Sequence, residues 1–292
     1  MKLSLLNPYS RDSLPWLKGN FHTHTTNSDG PFSPQETIHR YKALGYDFLM
    51  LSDHDYLTAP AGLDACGLAL IPGNEITLNG PHILHVGARS FVPPDPNRQA
   101  VLNAIGFDGG FAIMCHPNWE NTFNHCPHEL LETLKGYAGI EIFNSVVTWL
   151  EGSGWATDRW DRLLGKGRRV WGFANDDCHI PADIGQGWNR VQSASRAPNA
   201  IADAIRSGRF YASNGVTIER IRVDDMTITV ETADACRISV YSDFGFRRDF
   251  INGPALSFTV PADAAYRYVR FECAGCGEQK AWTQPFFIER TF

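Results

Sequence analysis

Two hydrophobic rhythms divide the chain near residue 215. Before it, short apolar runs (GNFHTH, YDFLMLSDHD, LALIPGNEI, GGFAIMCHP, GIEIFN and RVWGFANDD) alternate with stretches of helical period. Each run has the length of a strand, and several lack polar alternation, as do strands buried on both faces of a parallel sheet. Between the first two, SPQETIHRYKALG carries the signals of one helix: Ser33 at the N-cap, Pro34 at the first helical position, Glu36 completing a capping box, Gly45 as the stop. Further helices are expected over residues 97–105, 127–135, 155–165 and 198–207. Repeated strand–helix units predict an α/β fold, and their number favours a barrel over a small open sheet.

After residue 215, IERIRVDDMTITVETADACRISVYSD, LSFTVPADAAYRYVRFECAG and KAWTQPFFIERTF alternate with period two and are punctuated by Asp-Asp, Asp-Phe-Gly, Asn-Gly-Pro and Ala-Gly turns. This pattern predicts a small antiparallel β-sandwich. The expected organisation is one α/β unit over residues 1–215 and a β extension over residues 216–292.

Composition narrows the function classes. The 292 residues carry a formal net charge of −6, which argues against a general nucleic-acid face and against nucleic acid as a stable partner. A small phosphorylated substrate stays compatible, because bound metal ions supply positive charge locally. No apolar run approaches the ~18 residues that cross a bilayer, so no membrane association is expected. The opening MKLSLLNPYSRDSLPW, with its very short apolar stretch and early proline, makes a poor signal peptide. Seven scattered cysteines do not resemble a disulfide framework. A soluble, cytoplasmic protein is expected.

Candidate chemistry gathers at the ends of the apolar runs. In FHTHTTNSDG, His22 and His24 are two apart on a strand and point to one face, where they can share an ion. Asp29 follows in a Ser-Asp-Gly turn. The next runs end in Ser52-Asp53-His54-Asp55, Gly73-Asn74-Glu75, Cys115-His116-Pro117 and Asp176-Asp177-Cys178-His179. In parallel α/β folds these strand ends converge on the face where active sites sit. Taken singly, each residue has an ordinary structural reading. Together they would leave unpaired and mutually repelling groups unless divalent cations bind, and imidazole and carboxylate are the usual ligands of zinc, manganese and iron.

HTHTTNSDG, LSDHD, the Glu of GNEI, the CHP and the final DCH resemble, in order and spacing, the motifs of the PHP (polymerase and histidinol phosphatase) family of metal-dependent phosphoesterases, over residues 19 to about 215. The tail with its AWTQPFF ending resembles the β extension of the CehA/McbA-like branch. The resemblance implies a distorted (β/α)7-type barrel with two or three divalent ions (Mn, Fe or Zn) at its C-terminal face. It further implies that His22, His24 and Asp177 bind a first metal, that Glu75 bridges it to a second held by His116, and that Asp29, His54 and His179 bind a third. The family expects one more histidine after Glu75, where GPHILHVGAR offers His82 and His85, on opposite faces of a strand by their odd spacing. His82, five before Gly87, resembles the branch's pattern and is favoured.

Such a trinuclear centre suits hydrolysis of a small phosphate ester by a metal-bridging hydroxide, with Glu75, Asp29, His116 and Asp177 as the central catalytic residues and a small phosphorylated molecule as partner. Arg190 in GQGWNRV is a candidate for gripping a second anionic group of the substrate. The same centre could instead open a carboxylic ester or carbamate, or its metals could stabilise a non-catalytic binding module. Asp53 and Asp176, beside ligands, are expected to orient imidazoles. His39, His125 and His128 read as solvated or capping residues, with His125 near enough to the CHP loop to reach a substrate. Cys115 and Cys178 are expected to turn away from the cluster by strand parity. Cys273-Ala-Gly-Cys276 reads as a turn with two thiols, and Trp119, Phe143, Trp149 and Trp188 as packing.

Overall fold

A computed structural model describes residues 2–9 and 14–291. Strands Trp16–Asn20, Phe48–Met50 and Ala69–Ile71 lie parallel side by side, and their residues are largely buried. On the other side of Trp16–Asn20, the antiparallel strands Trp188–Gln192 and Phe210–Ser213 extend the sheet. A second sheet follows the order Gly73–Ile76, Ile83–Val86, Phe111–Met114, Tyr137–Asn144, Trp171–Asn175, antiparallel in its first two pairings and parallel in the last two. Pro72, which has no amide to give a ladder, separates Ala69–Ile71 from Gly73–Ile76 and passes the chain between the sheets.

The result is a mixed α/β fold. Its ladders do not close into one continuous barrel among the described residues; isolated parallel bridges at Thr23–Cys178 and His54–Glu75 link the two sheets instead. Antiparallel pairs within this unit also depart from the strand–helix repetition that the sequence suggests.

Helices form at Pro34–Ala43, Arg98–Asp108, His128–Thr133, Thr157–Gly165 and Pro198–Arg206. The first starts as its residues dictate, with the Ser33 hydroxyl accepting the Glu36 amide at 3.3 Å. The Glu36 carboxylate pairs with Arg40 at 2.8 Å, however, so the expected capping box is half formed. Gly45 takes the left-handed conformation (φ +73°) that ends the helix. No described helix is long and apolar enough to cross a membrane.

In the tail, strands Ile218–Asp224, Thr227–Thr232 and Ala255–Thr259 form one antiparallel sheet. Ile221, Ile228, Val230, Leu256 and Phe258 from it join Ile238, Val240, Val269, Phe271 and Phe286 from the larger sheet in one buried cluster. That larger sheet runs through the whole molecule. Lys280–Thr283 pairs with Phe210–Ser213, and the first strand, Lys2–Leu6, pairs with the last, Phe286–Thr291. Hydrogen-bonded ladders therefore cross the division expected at residue 215. A buried ion pair crosses it too: Arg270 donates to both Asp161 oxygens (2.7 and 2.6 Å), and the Tyr268 hydroxyl donates to the same carboxylate (2.8 Å).

Candidate metal centre

Glu75 sits at the middle of the site, fully buried, on the short strand Gly73–Ile76. Its two oxygens face two different groups of imidazoles. Oε2 lies 3.3 Å from His22 Nε2 and 3.5 Å from His24 Nε2; Oε1 lies 3.0 Å from His82 Nδ1 and 3.3 Å from His116 Nε2. Asp177 closes the first group, its Oδ1 3.1 Å from His22 Nε2 and 3.0 Å from His24 Nε2. A third group lies alongside: Asp29 Oδ2 is 3.4 Å from both His54 Nε2 and His179 Nε2. All nine residues singled out as ligands from the sequence thus stand together.

Local backbone aims these groups. His22 and His24 leave the strand Trp16–Asn20 in extended chain bridged to Cys178, so both rings face inward. His116 and Asp177 have positive φ (+23° and +55°), a strained conformation for residues with a side chain. Each lies two residues past the end of a buried strand, Phe111–Met114 or Trp171–Asn175, where the chain turns beside the cluster.

His82 and His85 are separated as parity requires. The His82 ring lies 5.1 Å from that of His116. The fully buried His85 points the other way, with Nε2 3.3 Å from Asp108.

The electrostatics are those of a site made for cations. Burial disfavours charge on His22, yet Asp177, Glu75 and Glu141 outweigh it and hold that imidazole well above its ordinary range. Burial likewise works against ionised Glu75, but the surrounding imidazoles keep it well below the usual carboxylate range, and Asp177 behaves the same way. His54 and His179 are pushed up to about 10 and about 9 by Glu75, Asp29 and Asp177 in spite of burial. His24 and His82 are lowered, chiefly by burial.

Two observations test whether metal fits. His22 Nε2, Glu75 Oε2, His54 Nδ1 and His116 Nδ1 are buried without a hydrogen-bond partner among the described residues, a costly state that coordination or neighbouring bound solvent relieves. The imidazole separations of 2.9–3.5 Å around Glu75 also reach the ~3.4 Å expected between ligands of a tetrahedral ion with bonds of ~2.1 Å. The residues fit.

Several residues around the centre were not read from the sequence. Glu141, in the middle of the strand Tyr137–Asn144, contacts His22 Nδ1 at 2.8 Å and accepts the His116 amide (2.8 Å) and the side-chain amides of Asn144 (2.8 Å) and Asn175 (2.9 Å). It fixes which His22 nitrogen faces Glu75. Its signal, one carboxylate inside the apolar run GIEIFN, is visible but lies within a strand rather than at its end. His125, expected near the CHP loop, does stand beside the centre, but as a buried neighbour of His82 and not a solvated residue: its Nε2 accepts the His82 amide (3.1 Å), its Nδ1 faces Glu120 (2.9 Å), and burial lowers its basicity.

Asp53 and Asp176 act on loops and not on imidazoles. Asp53 accepts the Thr25 amide and the hydroxyls of Thr25, Ser28 and Thr58, bracing the turn that carries Asp29. Asp176 accepts the Tyr41 hydroxyl and the amides of Gly185, Gln186 and Gly187. Cys115 does not turn away as expected; its sulfur groups with His22, Glu75 and His116, while burial and the nearby carboxylates raise its thiol well above the ordinary value. Cys273 is buried and Cys276 exposed, and neither joins a group of potential ligands among the described residues.

Above the centre opens a cavity of about 300 Å³, floored by Asp29, His54, His82, His116, Asp177 and His179 and walled by Trp119, Val146, Val147, Trp149 and Leu150. Trp119 and Trp149 therefore do more than pack. The wall is braced: Trp149 Nε1 donates to Asp183, whose other oxygen accepts the His179 amide. Arg190 is not among the lining residues. It alternates along Trp188–Gln192 with Asn189, which turns in toward Asn175, and it lies instead against Tyr211.

The chain is similar to several known proteins. A family model described as PHP-associated matches residues 168–210, the segment that supplies Asp177 and His179. A 5'-3' exoribonuclease of Haemophilus influenzae is 36% identical over 95 residues, 30% of this chain and 34% of that protein, so the match spans about a third of the relative's length. A two-domain protein of Bacteroides vulgatus, described as containing a predicted PHP-like metal-dependent phosphoesterase, superposes with a TM-score of 0.58 at 17% identity, covering 96% of this chain and 98% of that one. An amidohydrolase of Chromobacterium violaceum superposes with a TM-score of 0.42 at 16% identity over 56% of this chain and 88% of its own. A PHP-associated segment thus lies inside the site, and the fold is similar to that of a two-domain protein with a predicted PHP-like part, as the strand-end motifs lead one to expect.

Proposed function

We propose that the chain is a metal-dependent hydrolase that cleaves a small phosphate ester, with His22, His24 and Asp177 holding one divalent ion, His82 and His116 a second, Glu75 shared between them, and Asp29, His54 and His179 a third. The observation that carries this reading is the placement of Glu75 between two imidazole groups at the floor of an open cavity. Divalent ions bound there supply a nucleophilic water near neutral pH and positive charge for the phosphoryl oxygens. The protein's own part is to aim the ligands, through Glu141 on His22 and His116 and through Asp53 on the Asp29 turn, and to exclude water with the apolar wall. A closed structural site would leave no such cavity, which weighs against a non-catalytic module.

In this reading the bridges at Thr23–Cys178 and His54–Glu75 complete a distorted barrel whose mouth is the cavity, residues 1–215 carry the hydrolytic centre, and residues 216–292 form an extension of CehA/McbA type. The exoribonuclease relative, whose name implies a phosphate ester, favours phosphoester cleavage. A second reading, hydrolysis of a carboxylic ester or carbamate, is favoured by the cavity lining, which includes no Lys or Arg among the described residues.

The test is to strip the protein, reload it separately with Mn, Fe or Zn, and assay phosphomonoesters, phosphodiesters and carboxylic esters. Two or three ions per chain with turnover of a phosphate ester is the expected result. Less than one ion per chain with every metal would sink the proposal, and turnover of carboxylic esters alone would replace it with the second reading.

A further inference from the structure

The hairpin of Arg237–Ser242 and Phe246–Ile251 has no role in the site described above. Every residue of Phe246–Ile251 is exposed, and that strand pairs on one side only. Phe244, Phe246 and Phe250 expose 60%, 62% and 45% of their surface, a concentration of aromatic surface unusual for a face that stays in water. Arginines lie on these rings. The Arg248 guanidinium is 4.5 Å from the ring centres of both Phe246 and Tyr266, and those of Arg237 and Arg247 are 5.2 and 4.8 Å from Phe250.

Arg237, Arg247, Arg248 and nearby Arg267 form no ion pair among the described residues. The two carboxylates of the hairpin are engaged with backbone: Asp243 accepts the Arg267 amide, and Asp249 the Phe250 amide at 2.7 Å. The net charge of −6 for the whole chain therefore conceals a cationic, aromatic face.

We propose that this face binds single-stranded nucleic acid, its arginine–phenylalanine stacks receiving bases and its guanidinium groups, two of them held by Asn252 and Ser242 but none by a carboxylate, the phosphates. Charge complementarity selects a polyanion. The flat stacks favour unpaired bases over a duplex, whose bases are stacked on one another. An added β-strand is disfavoured because the Phe250 amide already has its own carboxylate partner. The inference does not rest on the hydrolytic reading, since none of these residues touches the metal centre.

The test titrates the full-length protein into a fluorescently labelled 12-mer of uridine and follows anisotropy at several salt concentrations, with the probe's length checked afterwards. Binding is expected, with a log–log salt slope no steeper than about −3, since four arginines neutralise at most about four phosphates. Phe246→Ala with Phe250→Ala should weaken it at least about fivefold, and Arg247→Ala with Arg248→Ala should both weaken it and flatten the slope. Arg220→Ala with Arg222→Ala, which removes exposed arginines already paired with Glu231, should change neither. These side chains are exposed, so an unchanged melting temperature accompanies each expected loss.

No binding, or binding that survives both hairpin variants, overturns the proposal. So does equal affinity for a duplex of the same length, or equal competition by polyglutamate, which would assign the face to an acidic peptide. A dimer in solution that the phenylalanine variant dissolves, without uridine binding, would assign it to a second copy of the chain.

Discussion

The molecule holds two buried clusters of charge, and they are built on opposite plans. At the Asp161–Arg270 clamp, two carboxylates meet two cations. Asp161 takes both forks of Arg270 and the Tyr268 hydroxyl, while Glu272 takes Lys280 at 3.1 Å and the Trp282 indole at 3.0 Å. One guanidinium nitrogen there lacks a hydrogen bond, and it lies 3.7 Å from Glu272. At the metal centre, imidazoles crowd around Glu75 and Asp177 with several buried nitrogens and oxygens unmatched. In the first cluster the one unmatched nitrogen still has a carboxylate beside it, and the cluster joins the helix Thr157–Gly165 to the β extension. The second is complete only with something added. Burial of charge alone therefore says little about function; unmatched atoms of several ligand-type side chains converging on one carboxylate say more.

The largest effect should come from removing the shared carboxylate. Glu75→Gln keeps the shape but takes away the charge that both imidazole groups face. Metal content should fall for more than one ion, and turnover by at least about 100-fold. Elemental analysis beside kinetics checks it, and near-normal values for both would mean that the centre is organised around another residue.

The clamp should respond in the opposite currency. Arg270→Ala leaves Asp161 buried and unpaired, and the expected loss is about 3–5 kcal/mol of stability, measured by urea unfolding, with metal content per folded chain unchanged. Replacing the whole network with apolar residues of similar volume should cost far less, because no charge is then stranded. Loss of metal from the folded Arg270 variant would break the distinction between the clusters.

Glu141 tests the boundary between them, since it is a satisfied carboxylate that serves an unsatisfied site. Glu141→Gln should weaken metal affinity about 10–100-fold, seen by competition with a chromophoric chelator, and Glu141→Asp should restore part of it. A stability loss with unaltered affinity would place Glu141 with the structural cluster.

What the sequence made legible follows the same division. Five ligands sit where an apolar run ends, so His22, His54, Glu75, His116 and Asp177 are legible by their position alone. Glu141 was not, because it lies inside its strand. Asp161 and Arg270 stand 109 residues apart, each in unexceptional surroundings, and only the fold brings them together. Strand alternation also told that His82 and His85 take opposite faces, but not that Trp188–Gln192 directs Asn189 toward the centre and Arg190 away. That depends on an antiparallel partner which the expected strand–helix repetition did not contain. The first strand escaped notice for a similar reason: Lys2–Leu6 owes its place to a partner at the far end of the chain.

The smallest effect belongs to a histidine that imitates a ligand. His85 is as buried as His22 and only three residues from His82, yet Asp108 holds it on the far face of the sheet. His85→Ala should cost about 1–3 kcal/mol of stability as the buried ring and its approach to Asp108 are lost, while metal content and turnover stay near those of the parent. His82→Ala should do the reverse, lowering occupancy of the second ion and turnover with little change in unfolding, because its ring is partly open to the cavity and bears on Glu75. Measuring metal and stability on both variants sets the two histidines against each other directly. Metal lost from the His85 variant alone would show that the strand's faces are exchanged, and with them the line between the structural cluster and the chemical one.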